Sequence, residues 1–169
     1  MNRYNRAWDY TPGAGLILAG SRKPWSKHVG WSTDNGLNFR ALPELPYGNP
    51  SNWAGIDHPC VAIINDTTVF FAGGRGPYPD NYCETYFLDL ATEVYTPGPN
   101  MSLCRFGHSC DYISATNEII IAGGSQTRVQ SGNSTCSSNK MKDVEIFNLD
   151  SGIIRNSSKY QVPILSRNS

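Results

Sequence analysis

Apolar positions along this chain come in short runs broken by polar turn residues, and two of the runs are near copies. The first reads His58-Pro-Cys60-Val-Ala-Ile-Ile64, turns at Asn65-Asp66 and returns through Val69-Phe-Phe-Ala to Gly73-Gly74. The second reads His108-Ser-Cys110-Asp-Tyr-Ile-Ser114, turns at Thr116-Asn117 and returns through Ile119-Ile-Ile-Ala to Gly123-Gly124. The histidines and the glycine pairs both stand 50 residues apart, so the repeat is one unit in register.

Each copy continues in one order: a variable loop, an aromatic or β-branched run, a polar turn and a second short run. These runs are Tyr86-Phe-Leu-Asp89 and Glu93-Val-Tyr95 in one copy, Val144-Glu-Ile-Phe147 and Gly152-Ile-Ile154 in the next. Alternation with β-branched and aromatic enrichment predicts about four short antiparallel strands per unit. A more divergent copy precedes them, with Gly15-Leu-Ile-Leu-Ala-Gly20 as the apolar run and His28-Val-Gly-Trp31-Ser as the next strand. There Asp34-Asn35-Gly36 supplies a tight hairpin turn before Asn38-Phe39-Arg40. Proline-containing segments at 42–46, 97–101 and 162–165 lead out of successive units.

Composition agrees with an all-β chain: 39% apolar residues suffice for a core, while the Gly, Pro, Asn and Ser load argues against helices. Lys plus Arg and Asp plus Glu balance at 14 each, so no net field draws the chain to nucleic acid or an anionic membrane. The run Leu16-Ile-Leu-Ala19 is too short to span a membrane, and residues 1–10 lack the layout of a signal peptide.

The motif Arg105-Phe-Gly-His108-Ser, the Ala-Gly-Gly that closes the second strand, the Tyr86-Phe-Leu-Asp89 strand and the Pro-rich links resemble the kelch repeat, across roughly residues 6–155. Departures are Trp53 and Ala54 where an Arg is usual, Ser21 for a second glycine, and Tyr95 or Ile154 for a Trp. The resemblance implies a kelch-type β-propeller, here a partial ring of about three four-stranded antiparallel blades. Residues 1–46 form the first, divergent blade, 47–101 the second and 102–165 the third, with 166–169 opening a fourth. A blade cannot cover both its faces alone, so the remaining blades are expected in a missing part of a longer chain or in a partner.

Gly73, Gly74, Gly123 and Gly124 read as structural, since no helix follows them and no Gly-Lys-Ser/Thr sequence marks a phosphate loop. His58 and His108 occupy the same place in the repeat and are expected to do the same framework job. No Cys-x-x-Cys or His-x-x-x-His spacing makes them, or His28, metal ligands, and no cofactor is assigned. Arg105 is expected to pair between blades.

Ser32-Thr-Asp34-Asn-Gly36-Leu-Asn-Phe39 resembles the Asp box of sialidase-type propellers, which implies a folded turn between outer strands rather than a catalytic element. The alternative is part of a secreted propeller enzyme or a glycan-binding protein; a galactose-oxidase-like copper enzyme or a sialidase-like hydrolase would need a Tyr/His/Cys copper set or an arginine cluster with an acid/base pair. Neither arrangement is recognisable, and no catalytic residue is assigned.

Of the five cysteines, Cys60 and Cys110 share the slot two residues after the repeat histidine, while Cys83, Cys104 and Cys136 lie in loops. Loops between second and third strands open on the same face as the links to the next unit, which makes a Cys83–Cys104 disulfide geometrically feasible. Five reduced thiols of a cytosolic protein are the alternative. Asn-x-Ser/Thr sequons at Asn65, Asn100, Asn133 and Asn156 lean toward the secretory pathway. Function is then expected in exposed loops on a rigid scaffold, the loops 75–84 and 125–143 being the longest. Arg75, Tyr78 and Tyr82 are the candidate anchors for a protein partner, and the Ser-rich second loop reads as a mobile segment.

Overall fold

The computed structural model of the chain describes residues 7–22, 25–47, 55–76, 81–128 and 137–161. Among these residues every regular element is a β-strand, fourteen in all. The first sheet is β1 (Ala7–Thr11), β2 (Gly15–Arg22), β3 (Trp25–Ser32) and β4 (Arg40–Leu42), adjacent in that order. The second is β5 (Cys60–Asn65), β6 (Thr68–Ala72), β7 (Thr85–Asp89) and β8 (Val94–Pro97). The third is β9 (Ser109–Ile113), β10 (Glu118–Ala122), β13 (Asp143–Asn148) and β14 (Ile153–Gln161), and a two-stranded ribbon of β11 (Ser125–Arg128) and β12 (Ser137–Lys140) is inserted between β10 and β13. All pairings are antiparallel.

The strands read from the sequence fall where expected in the second and third sheets. Two elements differ. The β1 strand, Ala7-Trp8-Asp9-Tyr10-Thr11, was not resolved from its flanks because two aromatics and an aspartate hide the alternation; Asp9 faces the second sheet and accepts a hydrogen bond from Ile63 N–H at 2.7 Å. The Ser-rich loop, expected to be mobile, holds the β11–β12 ribbon, whose backbone pairing needs no apolar face.

The second sheet is buried on both sides, which explains its near-continuous apolar runs. On one side Val61, Ile63, Val69, Phe71 and Leu88 pack against Ile17, Ala19 and Val29 of the first sheet. On the other, Cys60, Ala62, Phe70 and Ala72 pack against Ile119, Ile121 and Phe147 of the third. Phe70, Phe87 and Phe147 form an aromatic trio with centroids 5.3 to 5.9 Å apart. Each fully buried Val, Leu, Ile or Phe among them contributes roughly 1.5–3 kcal/mol.

Neighbouring sheets come closest where the second strand of one meets the segment leading into the next. Gly74 N–H donates to the Arg105 carbonyl at 2.8 Å, and a Cβ on Gly73, whose φ is +58°, would stand 2.6 Å from the same oxygen. Gly20, with φ +70°, meets the Ile56 carbonyl in the same way, again 2.6 Å from where its Cβ would be. Only glycine meets both demands. Ile56 is therefore the counterpart of Arg105, not Trp53 or Ala54, which lie outside the described residues.

This equivalence corrects the register of the repeat. The second strands obey the 50-residue period, but Cys60 pairs with Ala72 while Ser109, not Cys110, pairs with Ala122. The β5–β6 pairing is interrupted between Ile63 and Asn65, whereas β9–β10 runs unbroken to a longer turn, and the one-residue difference accumulates there. His58 (φ +50°) thus corresponds to Gly107 (φ +62°), and His108 to Pro59. The two histidines do not share a slot, nor do Cys60 and Cys110.

The Arg105 side chain turns into the third sheet and is fully buried, as is Glu145 (both 0% exposed). Its Nη2 donates to Glu145 Oε2 at 2.7 Å, and its Nη1 donates to the carbonyls of Asp143 at 2.8 Å and Gly123 at 3.1 Å. Glu145 Oε1 accepts from both the N–H and the hydroxyl of Ser102 at 2.7 Å. Arg105 thus joins two sheets, with its carbonyl held by the second and its guanidinium by the third.

Removing one charge of this pair leaves the other buried and alone. Arg105→Met should cost about 3–5 kcal/mol in urea unfolding, and the double variant Arg105→Met/Glu145→Leu should recover most of that loss, since Ile56 makes the equivalent joint without charge. Equal stability of the single and double variants would contradict this account.

Candidate binding cavity

The β1, β5 and β9 strands, each at an edge of its sheet, lie side by side, and a cavity of about 330 Å³ opens at their leading ends. Ala7 and Trp8 line it from the first sheet, His58 to Val61 from the second, and Gly107 to Cys110 from the third. The geometry is set by the short segments leading into β5 and β9.

The lead-in to β5 is locked by reciprocal backbone bonds: Asp57 N–H donates to Arg75 O and Arg75 N–H to Asp57 O, both at 2.8 Å. The Asp57 carboxylate is buried beneath this bridge. Its Oδ2 accepts from Arg75 Nη2 at 2.8 Å, and its Oδ1 lies 2.7 Å from Nδ1 of His58. Burial pushes the Asp57 carboxyl up, but the charged, hydrogen-bonded Arg75 and the His58 ring 2.7 Å away outweigh it, so its pKa is lowered and the group is a carboxylate at neutral pH. The guanidinium carbon of Arg75 sits 4.4 Å above the Phe106 ring, a contact worth roughly 0.5–1 kcal/mol. Gly107 N–H closes the seam by donating to the His58 carbonyl at 3.0 Å.

His58 takes left-handed backbone, uncommon outside glycine. The fixed Asp57–Arg75 bridge imposes it and holds the imidazole at the cavity wall, with Nδ1 against the buried carboxylate. Such strain concentrates at binding and catalytic sites. His108 on the opposite wall is different. It is buried beside Gly73 and Gly124, and neither ring nitrogen makes a well-formed hydrogen bond. Burial and the Arg105 charge pull its pKa down to about 3, against the smaller opposing influence of the Ala72 carbonyl.

Two cysteine pairs are joined. Cys83–Cys104, the pair read from the sequence, links the loop after β6 to the segment before β9, with Cα atoms 4.1 Å apart. Cys60–Cys110, with Cα atoms 5.7 Å apart, links β5 to β9 in the cavity wall. The sequence reading missed this pair by assigning both cysteines one slot. Equivalent slots would face the same way; the one-residue slip turns Cys110 back toward Cys60. Loops of 50 and 21 residues closed this way stabilise the chain by about 3–4 kcal/mol each in the chain-entropy picture.

The candidate anchors divide. Arg75 is tied to Asp57 and stacked on Phe106; Tyr82 packs against Tyr47 with centroids 5.4 Å apart; Tyr78 lies outside the described residues. Gly73, Gly74 and Gly124 serve close packing, and the Gly123 carbonyl holds Arg105. Asn65, Asn100 and Asn156 are exposed, whereas Asn133 and Cys136 lie outside the described residues. The Asp box turn forms as expected between β3 and β4, at the far end of the sheet from the cavity. Asp34 Oδ1 accepts from the Ser32 hydroxyl at 2.7 Å and from Asn38 N–H at 2.9 Å, which lowers its pKa to about 2.

Among the described residues no group of three or more His, Cys, Asp or Glu converges to hold a metal, and no helix is long and apolar enough to cross a membrane. The chain matches no protein-family model and no curated protein.

The depressed His108 sets a pH dependence. Between its ordinary 6.5 and about 3 the unfolded chain binds the proton and the folded chain does not. Stability should therefore fall with acidification across that window, by about 1.4 kcal/mol per pH unit from this group. Urea midpoints from pH 7 to pH 4 should show a shallower slope for His108→Leu than for the unaltered chain. Parallel slopes would mean that His108 takes up its proton without unfolding.

Proposed function

We propose that the chain is a run of about three kelch-type propeller blades acting as a binding scaffold, its partner a protein engaged at the end where the cavity opens. The observation that carries this reading is the cavity itself. All three sheets contribute to it, and the imidazole of His58 is held at its wall by a buried carboxylate in strained backbone. Sites of this kind are concave, with few fixed polar groups among apolar ones. Trp8, 65% exposed at the rim, adds a large surface with a polar handle.

The propeller part rests on the three meandering four-stranded sheets stacked face to face, their innermost strands adjacent. Trp8 and Tyr10 share the face of the first sheet turned away from the second, and both remain exposed. Arg75 and Tyr82 shape this end of the scaffold from within rather than offering free anchors.

The compartment we assign is the secretory pathway or the cell exterior, where disulfides form and persist. Peptide mapping of the natural protein, with free thiols alkylated before digestion, should return Cys60–Cys110 and Cys83–Cys104 as linked pairs. Alkylated thiols at these positions would refute the assignment.

A partner captured on the intact chain should bind Trp8→Ala or His58→Asn at least tenfold more weakly, about 1.4 kcal/mol. Asparagine tolerates left-handed backbone, so the second change removes the imidazole without adding strain. Ala115→Arg, in the β9–β10 turn at the opposite end, should leave affinity unchanged. No loss at Trp8 and His58, or an equal loss at Ala115, would remove the reading.

A further inference from the structure

The described sequons differ in what the fold makes of them. In Asn100-Met101-Ser102, the Met101 side chain is buried and the Ser102 hydroxyl and N–H are both given to buried Glu145. That sequon is woven into the joint that Arg105 completes. Asn156, on β14, reaches the same place, its side-chain amide lying 3.3 Å from the Ser102 Oγ.

Asn65-Asp66-Thr67 lies away from the joint that Arg105 completes. It forms the turn between β5 and β6, at the end of the second sheet opposite the cavity. The Asn65 side-chain oxygen accepts from Thr67 N–H at 2.9 Å and from the Thr67 hydroxyl at 3.1 Å. The amide is thereby oriented with its oxygen turned into the loop and its nitrogen away from it, and Asn65, Asp66 and Thr67 are all exposed. Asp66 alone reaches across: a Cβ on Gly13, in the turn of the first sheet, would overlap the Asp66 carboxylate. The two turns are pressed together there, and Asn65 itself remains exposed.

We infer that Asn65 carries an N-linked glycan, placed so that the cavity end stays uncovered; this rests on the secretory reading above. In the transfer, Asn65 Nδ2 forms a bond to the anomeric carbon of a diphosphate-activated oligosaccharide. The anomeric C–O bond breaks, the diphosphate leaves with the electron pair, and Nδ2 gives up one proton to a base. A bulky polar group on an exposed turn costs the fold nothing that the turn itself does not already supply.

The test is peptide mapping of the full chain recovered from secreting cells, after an amidase that releases N-glycans in heavy-oxygen water. The Asn65 peptide should appear as heavy-labelled aspartate, and Asn65→Gln and Thr67→Ala should each lose the same single step in gel mobility while Thr67→Ser retains it. A chain that is secreted with both cysteine pairs linked but unmodified at Asn65 would overturn the glycan and leave the compartment standing. A chain retained in the cytosol with free thiols would overturn both.

Discussion

The closest approach between sheets, a backbone carbonyl lodged against a glycine, is the constraint from which the rest of the structure follows. A four-stranded sheet with apolar residues on both faces must be covered twice, and covering it means bringing two twisted sheets together at one corner. At that corner the Arg105 carbonyl meets Gly73 and Gly74, and the Ile56 carbonyl meets Gly20. A Cβ on Gly73 or Gly20 would collide with that backbone oxygen, which cannot swing aside, and one on Gly74 would collide with the Ile56 side chain. The glycine pairs thus set the spacing of the sheets, and the apolar clusters fill what that spacing leaves.

The same joint is finished in two chemistries. Around Ile56 it is apolar and aromatic, with Tyr47 packed edge-on against Tyr86 at 5.0 Å. At the next joint the arginine places a charge in the interior, and Glu145 on β13, in the register position of Tyr86, supplies the opposite one. Burying such a pair brings little net stability, because desolvation offsets the attraction. What it adds is direction: the guanidinium fork takes two carbonyls and a carboxylate at once, and only one docking of the lead-in satisfies all three.

Much of this was legible in the sequence because the signals were local. Strand periodicity, the glycine pairs, the Asp box turn and the Cys83–Cys104 pair each depend on a few neighbouring residues or on loops that topology brings to one face. What was not legible turned on counting across a turn. Aligning His58 with His108 gives one histidine role and one cysteine slot; pairing Cys60 with Ala72 and Ser109 with Ala122 gives two of each. A single residue moved from a strand into a hairpin is invisible to the pattern, yet it flips every later side chain to the other face. The clue in the letters was Gly107, a glycine just before His108 where the first copy has Asp57.

That slip also explains why the cavity wall is asymmetric although the units repeat. In the second sheet a histidine occupies the left-handed position, fixed outward by Asp57; in the third, glycine occupies it and the histidine moves one place on, into the interior. The two imidazoles consequently face different solvents. His58 lies against a carboxylate at the cavity wall, while His108 stays neutral in the packing between sheets. The cysteines divide in the same manner and meet across the seam that the histidines flank. A repeat that preserved its register would have lined the cavity twice with the same group and left its cysteines facing apart. Displacing one copy by a residue closes the seam covalently and leaves a single histidine on the open side, so the asymmetry of the cavity wall comes from the turn between β9 and β10, at the far end of the strands.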